Sequence, residues 1–241
     1  MAISKRFCWS YWLLGLALVG HPTRGQENNW ALFLLPEQYS YVQYTADLAQ
    51  QLQQKKKHYK SDERFLRLCL AEIHTRFLHQ YQPYATLSET LSQGRYNCVS
   101  AVALVGLLLT DLGYRVDLQE APLHTFLWVE VGKQRWLVEP TDAANGLTTT
   151  DEGIAQRMAA YQAPLAQLSI AAQLFPYSID FQQLAGLQAF NEAVVAYNSR
   201  HYVQAAYHLG EAEKAYPHWR VEVLQARNRK MLASISASRQ P

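Results

Sequence analysis

The sequence has few of the features that mark several common classes of protein. Its 241 residues include only Cys8, Cys69 and Cys98, too few for the disulfide framework of a small secreted scaffold. Its longest basic run covers residues 55–57, whereas a nucleic-acid-binding face needs clustered lysine and arginine. The apolar run at residues 7–20 is shorter than the roughly 20 residues of a membrane-spanning helix. We therefore expect no nucleic-acid partner, no membrane span in the mature chain, and stability from packing.

The first residues have the layout of a secretory signal peptide. Lys5 and Arg6 precede the apolar run, and a polar segment with Arg24 follows it. Cleavage near Gln26 would remove residues 1–25, including three of the 22 basic residues and none of the 20 acidic ones, leaving a net charge near −1. The sequence predicts a secreted or periplasmic protein; an uncleaved membrane anchor is the alternative.

Two amphipathic helices are predicted after the signal peptide. One covers residues 40–56, and the second begins at Ser61, a typical N-cap residue. Cys69 lies on the apolar stripe of the second helix. Cys69, His74 and His79 are spaced by five residues, which spreads their side chains around a helix, so we predict no metal site there and no cofactor.

A third helix is apolar on all sides and is therefore predicted to be buried. It covers residues 98–109, interrupted only by Ser100, and Gly113 marks its C-terminal end. Asn97 is a plausible N-cap, which makes Cys98 the first helical residue. The unpaired N–H groups and the dipole at a helix N-terminus favour an anion, such as a thiolate or an oxyanion.

Strand-like patterns follow the buried helix. The three predicted strands cover residues 114–121, 124–131 and 134–140. Gly132 and Lys133 form a two-residue loop with glycine first, which favours a type II′ turn. This turn pairs Val131 with Gln134.

The same register brings a histidine and a carboxylate to one face of the hairpin. Counting back from the turn, Phe126 lies opposite Glu139, so His124 is diagonal to Glu139 at a separation that the two side chains can bridge. By the alternation of side chains along a strand, Asp142 falls on the opposite face from Glu139, and it lies beyond the end of the strand. We therefore predict Glu139 as the acid that orients His124.

Cys98, His124 and Glu139 together suggest nucleophilic catalysis. A thiol at a helix N-terminus beside an imidazole has a lowered pKa, and the thiolate is the reactive form of cysteine. Each residue alone is more often structural: a cysteine usually packs in the core, a histidine usually makes its hydrogen bonds within the fold, and a glutamate before proline often marks the end of a strand. Their joint order, with the expected elements around them, favours a cysteine enzyme.

This order of a nucleophile helix, a histidine strand and an acid strand resembles the transglutaminase-like superfamily of cysteine peptidases and acyltransferases. The matching residues are Cys98, His124 and Glu139, the last in a Glu139-Pro140-Thr141 segment similar to the Asp-Pro-Thr of the family. The resemblance spans residues 62–146. It implies an α+β fold with a papain-like core, in which the nucleophile helix packs on a small antiparallel sheet, for a domain at residues 26–150.

The chain departs from the family pattern at three positions. Glu139 stands where the family more often has aspartate, and Tyr96 and Val99 stand where it more often has glycine and an aromatic residue. The family also includes inactive members. Its mechanism implies that His124 takes the thiol proton, Cys98 attacks an acyl carbonyl, and an acyl-enzyme forms. Gln93 is a candidate second donor to the oxyanion.

The last part of the chain, residues 151–241, is predicted to be helical. Residues 181–217 resemble one tetratricopeptide repeat, although small residues at these spacings also suit any close-packed helical hairpin. The residues at the positions of that repeat are Ala193, Tyr197, Tyr202, Ala205, Leu209, Ala212 and Pro217. A single repeat must pack on the rest of the chain or on a partner.

Two functions remain open from the sequence. The first is an exported thiol hydrolase or acyltransferase with a peptide or amide substrate. The second is an inactive protein of the same fold that binds a protein partner through its C-terminal helices. The two are distinguished by whether the Cys98 thiol faces an open cleft or the core.

Overall fold

A computed structural model describes residues 29–163 and 176–237. The predicted signal peptide lies outside these ranges, as do residues 164–173 of the predicted helical region. Among the described residues, no helix is both long and apolar enough to cross a membrane. The predicted α+β class is confirmed, since helices surround one five-stranded antiparallel sheet in this part of the chain.

Between residue 29 and the helix that begins at Cys98 there are three α-helices. Two short 3₁₀ turns lead into α1 (Ser40–Lys56), which is followed by α2 (Asp62–Phe77) and α3 (Leu87–Gln93). Ser61 caps α2 as predicted, its hydroxyl accepting from the N–H of Arg64. The stripes that α1 and α2 bury include Leu48, Leu52, Phe65, Cys69, Ile73 and Phe77.

Helix α4 (Cys98–Asp111) lies at the centre of the molecule. Every residue from Val99 to Leu109 is buried, as its uniformly apolar sequence predicts. It packs against α1, α3 and α6 and against strands of both sheets. Gly113, just past its end, has a φ of +84°.

The main sheet lies beside α4. Its strands are β3 (Arg115–Ala121), β4 (His124–Val131), β5 (Gln134–Val138), β6 (Leu147–Thr148) and β7 (Tyr177–Ile179), in the order β6-β5-β4-β3-β7. A separate parallel pair joins β1 (Gln80–Tyr81) to β2 (Arg95–Tyr96). Gly132 has a φ of +61°, and Val131 lies opposite Gln134 in the predicted register.

The C-terminal region is mostly helical. It contains α5 (Asp151–Gln162), α6 (Phe181–Asn198), α7 (Tyr202–Ala215) and α8 (Trp219–Ala237). Helices α6 and α7 pack together as the predicted hairpin and bury Ala193, Ala205, Leu209 and Ala212. Strand β7 departs from the expectation of an all-helical region; its three residues are too few to show a strand pattern, and they extend the sheet by pairing with β3.

A buried carboxylate joins the C-terminal region to the sheet. Glu120 on β3 is 1% exposed and accepts hydrogen bonds from the hydroxyls of Tyr177, at 2.6 Å, and Tyr216, at 2.8 Å. The Arg220 guanidinium on α8 forms an ion pair with the same carboxylate. Because a buried charge is costly without partners, this cluster holds α8 and the end of α7 in place.

Two helical glycines should respond in opposite ways to alanine. A Cβ at Gly186 on α6 would lie 2.8 Å from the backbone nitrogen of Tyr216, whereas a Cβ at Gly210 on α7 would meet nothing within 4 Å. We expect Gly186→Ala to lower the free energy of unfolding by about 1–3 kcal/mol through overpacking. Gly210→Ala should raise it by about 0.5–1 kcal/mol through helix propensity. Urea denaturation checks both; equal effects would contradict the close packing of α6 on α7.

Candidate active site

The start of α4 is fixed by a polar network. The Asn97 side-chain oxygen accepts from the Ser100 N–H at 2.9 Å, and the Ser100 hydroxyl accepts from the Asn97 N–H at 3.1 Å. The Thr90 hydroxyl lies 2.9 Å from that of Ser100. Ser100, the polar interruption in the apolar helix, therefore belongs to the cap. Cys98 is the first helical residue, where the dipole favours a thiolate.

His124 and Glu139 are joined by a short hydrogen bond. The His124 Nε2 lies 2.5 Å from a Glu139 carboxylate oxygen. The hydroxyl of Tyr161 donates to the same oxygen at 2.6 Å, and the N–H and hydroxyl of Thr141 donate to the other. Burial alone would raise the pKa of Glu139, but His124 and these hydroxyls lower it, so the carboxylate is charged.

The Cys98 thiol and the His124 imidazole each shift the pKa of the other towards its charged form. Burial would raise the pKa of Cys98, but the hydrogen bond and positive charge of His124 lower it. Burial would likewise lower the pKa of His124, but Cys98 and Glu139 raise it to about 10. Because Nε2 is bound to Glu139, Nδ1 is the ring nitrogen that remains for the thiol.

Thr125, next to His124, also stabilises the thiolate. Its side chain is 2% exposed, and both its hydroxyl and its backbone amide lower the pKa of Cys98. Within the described ranges this buried hydroxyl has no hydrogen-bond partner at ordinary distance. The start of β4 thus favours the thiolate form through His124 and Thr125.

The other described cysteine has the opposite chemistry. Cys69 is fully buried on α2, and burial raises the pKa of its thiol to about 12. The positive charge of Lys56 offsets only part of this rise. Cys69 is therefore a packing residue, as the apolar stripe predicted, and Cys98 is the more reactive of the two.

Cys98 is half-buried and lines a cleft of about 340 Å³. Its walls come from the β1–α3 loop, the start of α4, the β3–β4 turn and the C-terminal helices α6 and α8. The lining residues are Tyr81, Pro83, Tyr84, Asn97, Cys98, Val99, Glu120, Ala121, Leu123, His124, Thr125, Leu187, Phe190, Asn191, Val194 and Arg220. The C-terminal region thus forms one wall of the candidate site.

The structure brings the three predicted site residues together and separates others from them. Gln93, the expected second oxyanion donor, is exposed at the end of α3 and does not line the cleft, so that prediction is wrong. Asp142 forms an ion pair with Arg157 at 2.7 Å and not with His124. Among the described residues, no group of His, Cys, Asp or Glu is arranged to hold a metal ion.

Tyr161 on α5 is a site residue that sequence reasoning missed. Besides its bond to Glu139, its ring packs 5.0 Å from the His124 ring and 4.8 Å from that of Phe126. A signal was present, since Ile154, Met158 and Tyr161 have helical spacing and pack on the same cluster. This stripe indicates that one face of α5 packs against the sheet, where it is partly buried.

Comparisons with protein-family models, with curated proteins and with solved structures found no match for this chain.

The charge of Glu139 should set the pKa of His124. Glu139→Gln keeps the size of the side chain but removes its charge, so we expect the pKa of His124 to fall by about 1–3 units from its raised value near 10. NMR titration of the imidazole measures the shift. Asp142→Asn is the matched control, because its carboxylate pairs with Arg157. A similar fall in both variants would assign the effect to general charge rather than to Glu139.

Proposed function

We propose that this protein is a cysteine-dependent acyl hydrolase or acyltransferase that acts on a peptide or amide substrate. The observation that carries the proposal is that Cys98, the first residue of α4, lines the same cleft as His124, whose Nε2 is hydrogen-bonded to Glu139. Glu139 completes the triad as the residue that orients His124. The cysteine of such a pair is a nucleophile at neutral pH.

The geometry supports a two-step acyl transfer. The Cys98 thiolate attacks the substrate carbonyl carbon, and His124, already protonated, donates its proton to the leaving amine as the C–N bond breaks. The acyl group is then bound to the Cys98 sulfur as a thioester. Neutral His124 takes a proton from an incoming water or amine, which attacks the thioester and restores the thiolate. Glu139 stabilises the imidazolium form throughout.

We assign two donors to the oxyanion of this reaction. The first is the backbone N–H of Cys98, at the start of α4, where the N–H groups have no partner within the helix. The second is the hydroxyl of Tyr81, which lines the cleft and whose pKa is raised by burial and by the nearby Cys98. The ring of Tyr96 meets the Tyr81 ring edge-on at 5.8 Å, which restricts its orientation.

The order of elements also supports the proposal. A buried helix that begins with the nucleophile, followed by a histidine strand and an acid strand, resembles the transglutaminase-like superfamily, and we assign the papain-like core on that basis. An inactive binding module was the alternative. Cys98 lines the cleft and does not lie in the core, which favours the enzyme. Export rests on the signal sequence, which lies outside the described residues.

The pH dependence of alkylation tests the nucleophile. In protein that carries Cys69→Ala, iodoacetamide should label Cys98 rapidly at neutral pH, and the rate should fall only when the pH drops through the lowered pKa of the thiol. In a His124→Ala variant the pKa should rise above the ordinary value of ~8.5, because burial remains and the cation is lost. Intact-protein mass spectrometry gives both rates.

The exposed His58 supplies the control for this experiment. His58→Ala should leave the labelling profile unchanged, since this residue lies in the turn after α1 and does not line the cleft. Incubation with p-nitrophenyl acetate should add one acetyl group to Cys98 and then release it. An unshifted thiol pKa, or an acetyl group that never forms, would contradict the enzyme and favour the binding module.

The role of Tyr81 can be separated from that of the thiolate. Tyr81→Phe removes only a hydroxyl, so we expect acylation by the ester to slow by about 100-fold, as for the loss of an oxyanion donor. The rate of iodoacetamide labelling should stay the same, because alkylation forms no oxyanion. Stopped-flow measurement of p-nitrophenol release checks the first rate. A parallel loss in both reactions would show that Tyr81 acts on the thiol instead.

A further inference from the structure

Two bulky residues on the rim of the cleft have a backbone conformation that favours glycine. Tyr84 has a φ of +65° and Leu123 a φ of +62°. Within the described ranges the one other non-glycine residue with positive φ is Arg200, in the turn between α6 and α7. A left-handed backbone is unfavourable for a bulky L-residue, and such positions cluster at functional sites. Glycine would adopt this backbone at no steric cost, so the side chains of Tyr84 and Leu123 are expected to have a role of their own.

Packing inside the molecule does not supply this explanation. Leu123 is 90% exposed, the largest exposure among the apolar residues that the structure describes, and Tyr84 is 42% exposed. Both nevertheless line the cleft beside Cys98 and His124. A large apolar side chain in water gains free energy when a ligand covers it.

The opposite wall of the cleft is apolar as well. Helix α6 presents Leu187, Phe190 and Val194, spaced by three and four residues and so on one face. This face and the β3–β4 turn that carries Leu123 line the same cleft. A ligand in the cleft would therefore contact apolar side chains on both sides.

Outside the proposed triad, the charged side chains that line the cleft are paired with each other. These are Glu120 and Arg220, which form an ion pair, and Arg220 also donates to the hydroxyl of Tyr216. The other polar residues of the lining, Tyr81, Tyr84, Asn97, Thr125 and Asn191, have neutral side chains. A charged group on the substrate would lose its hydration there without gaining an opposite charge.

We infer that the site selects a neutral substrate whose acyl part carries a bulky apolar side chain, held between the Tyr84–Leu123 rim and the α6 face. The substrate class is a peptide or similar amide with an aromatic or large aliphatic residue on the carbonyl side of the bond that is cleaved. This inference rests on the proposed function, since it places the reacting carbonyl at Cys98. Asn191 is available to hydrogen-bond the substrate backbone.

The inference is tested with three chloromethyl ketones, those of N-acetylphenylalanine, N-acetylglutamate and N-acetyllysine. Their rates of reaction at Cys98, in protein carrying Cys69→Ala, are each divided by the rate with iodoacetamide, which cancels the reactivity of the thiolate. We expect the phenylalanine probe to react at least ~10-fold faster than both charged probes. Equal rates, or a preference for a charged probe, would overturn the inference.

A matched pair of variants locates the selectivity. Leu123→Asn removes the apolar side chain and suits a left-handed backbone, so the variant should fold and should lose most of the preference for the phenylalanine probe. Val203→Asn, on the outer face of α7, is the control; Val203 is 76% exposed and does not line the cleft, so the preference should remain. If the Leu123→Asn variant keeps its preference for the phenylalanine probe, Leu123 does not take part in substrate recognition.

A binding measurement separates this inference from the proposed function. The N-methylamides of the same three acetylated amino acids are titrated into Cys98→Ala protein, and the shifts of the backbone NMR signals are followed. Tighter binding of the phenylalanine amide would support an apolar site, whatever the alkylation experiment shows. If alkylation shows a thiol of ordinary pKa, that result counts against the proposed enzyme and not against the apolar site. If all three amides bind with the same affinity while alkylation shows a lowered thiol pKa, the substrate class is rejected and the proposed enzyme activity stands.

Discussion

The complete burial of helix α4 is the constraint on which the rest of the structure depends. Each of its Leu and Val side chains gains about 1.5–3 kcal/mol from burial, and this gain requires cover on every side. The sheet covers one side and α1 and α3 another, and α6 reaches the helix at Gly106, close to the Phe181 ring. Because its sides are all covered, α4 reaches the surface at its ends, where Cys98 is half-buried at the first residue and Asp111 is exposed at the last. The position of the thiol thus follows from the packing of the helix behind it.

Two buried carboxylates fix the elements around that end. Glu139 follows β5 and Glu120 ends β3, and each is held by a cationic side chain and by hydroxyl groups. A buried carboxylate needs such partners, and these come from α5, α7, α8 and β7. His124 and Tyr161 reach Glu139, while Arg220 reaches Glu120. The C-terminal helices are therefore part of the site, since they supply both a wall of the cleft and the groups that compensate charge beside it.

Local patterns predicted the parts of the site that depend on neighbours in the chain. Asn97 indicated the start of α4, and Gly132 set the register that brings His124 to Glu139. Tyr161 and Arg220 lie 22 and 100 residues along the chain from the glutamates that they contact, and no rule of sequence spacing predicts such contacts. Gln93 was misplaced for the same reason, because the direction of its side chain depends on how α3 packs.

The β3–β4 turn joins recognition to chemistry in the proposed mechanism. Ala121 lies opposite His124, so the turn has only two residues and Leu123 directly precedes the histidine. Its left-handed backbone is held by the ladder between the two strands and, one residue later, by the packing of Tyr161 on the His124 ring. A substrate that covers Leu123 therefore presses on the same backbone that positions the imidazole. Binding of the apolar side chain and proton transfer at His124 cannot vary independently, because a shift of the turn would alter both the cleft rim and the His124–Glu139 hydrogen bond.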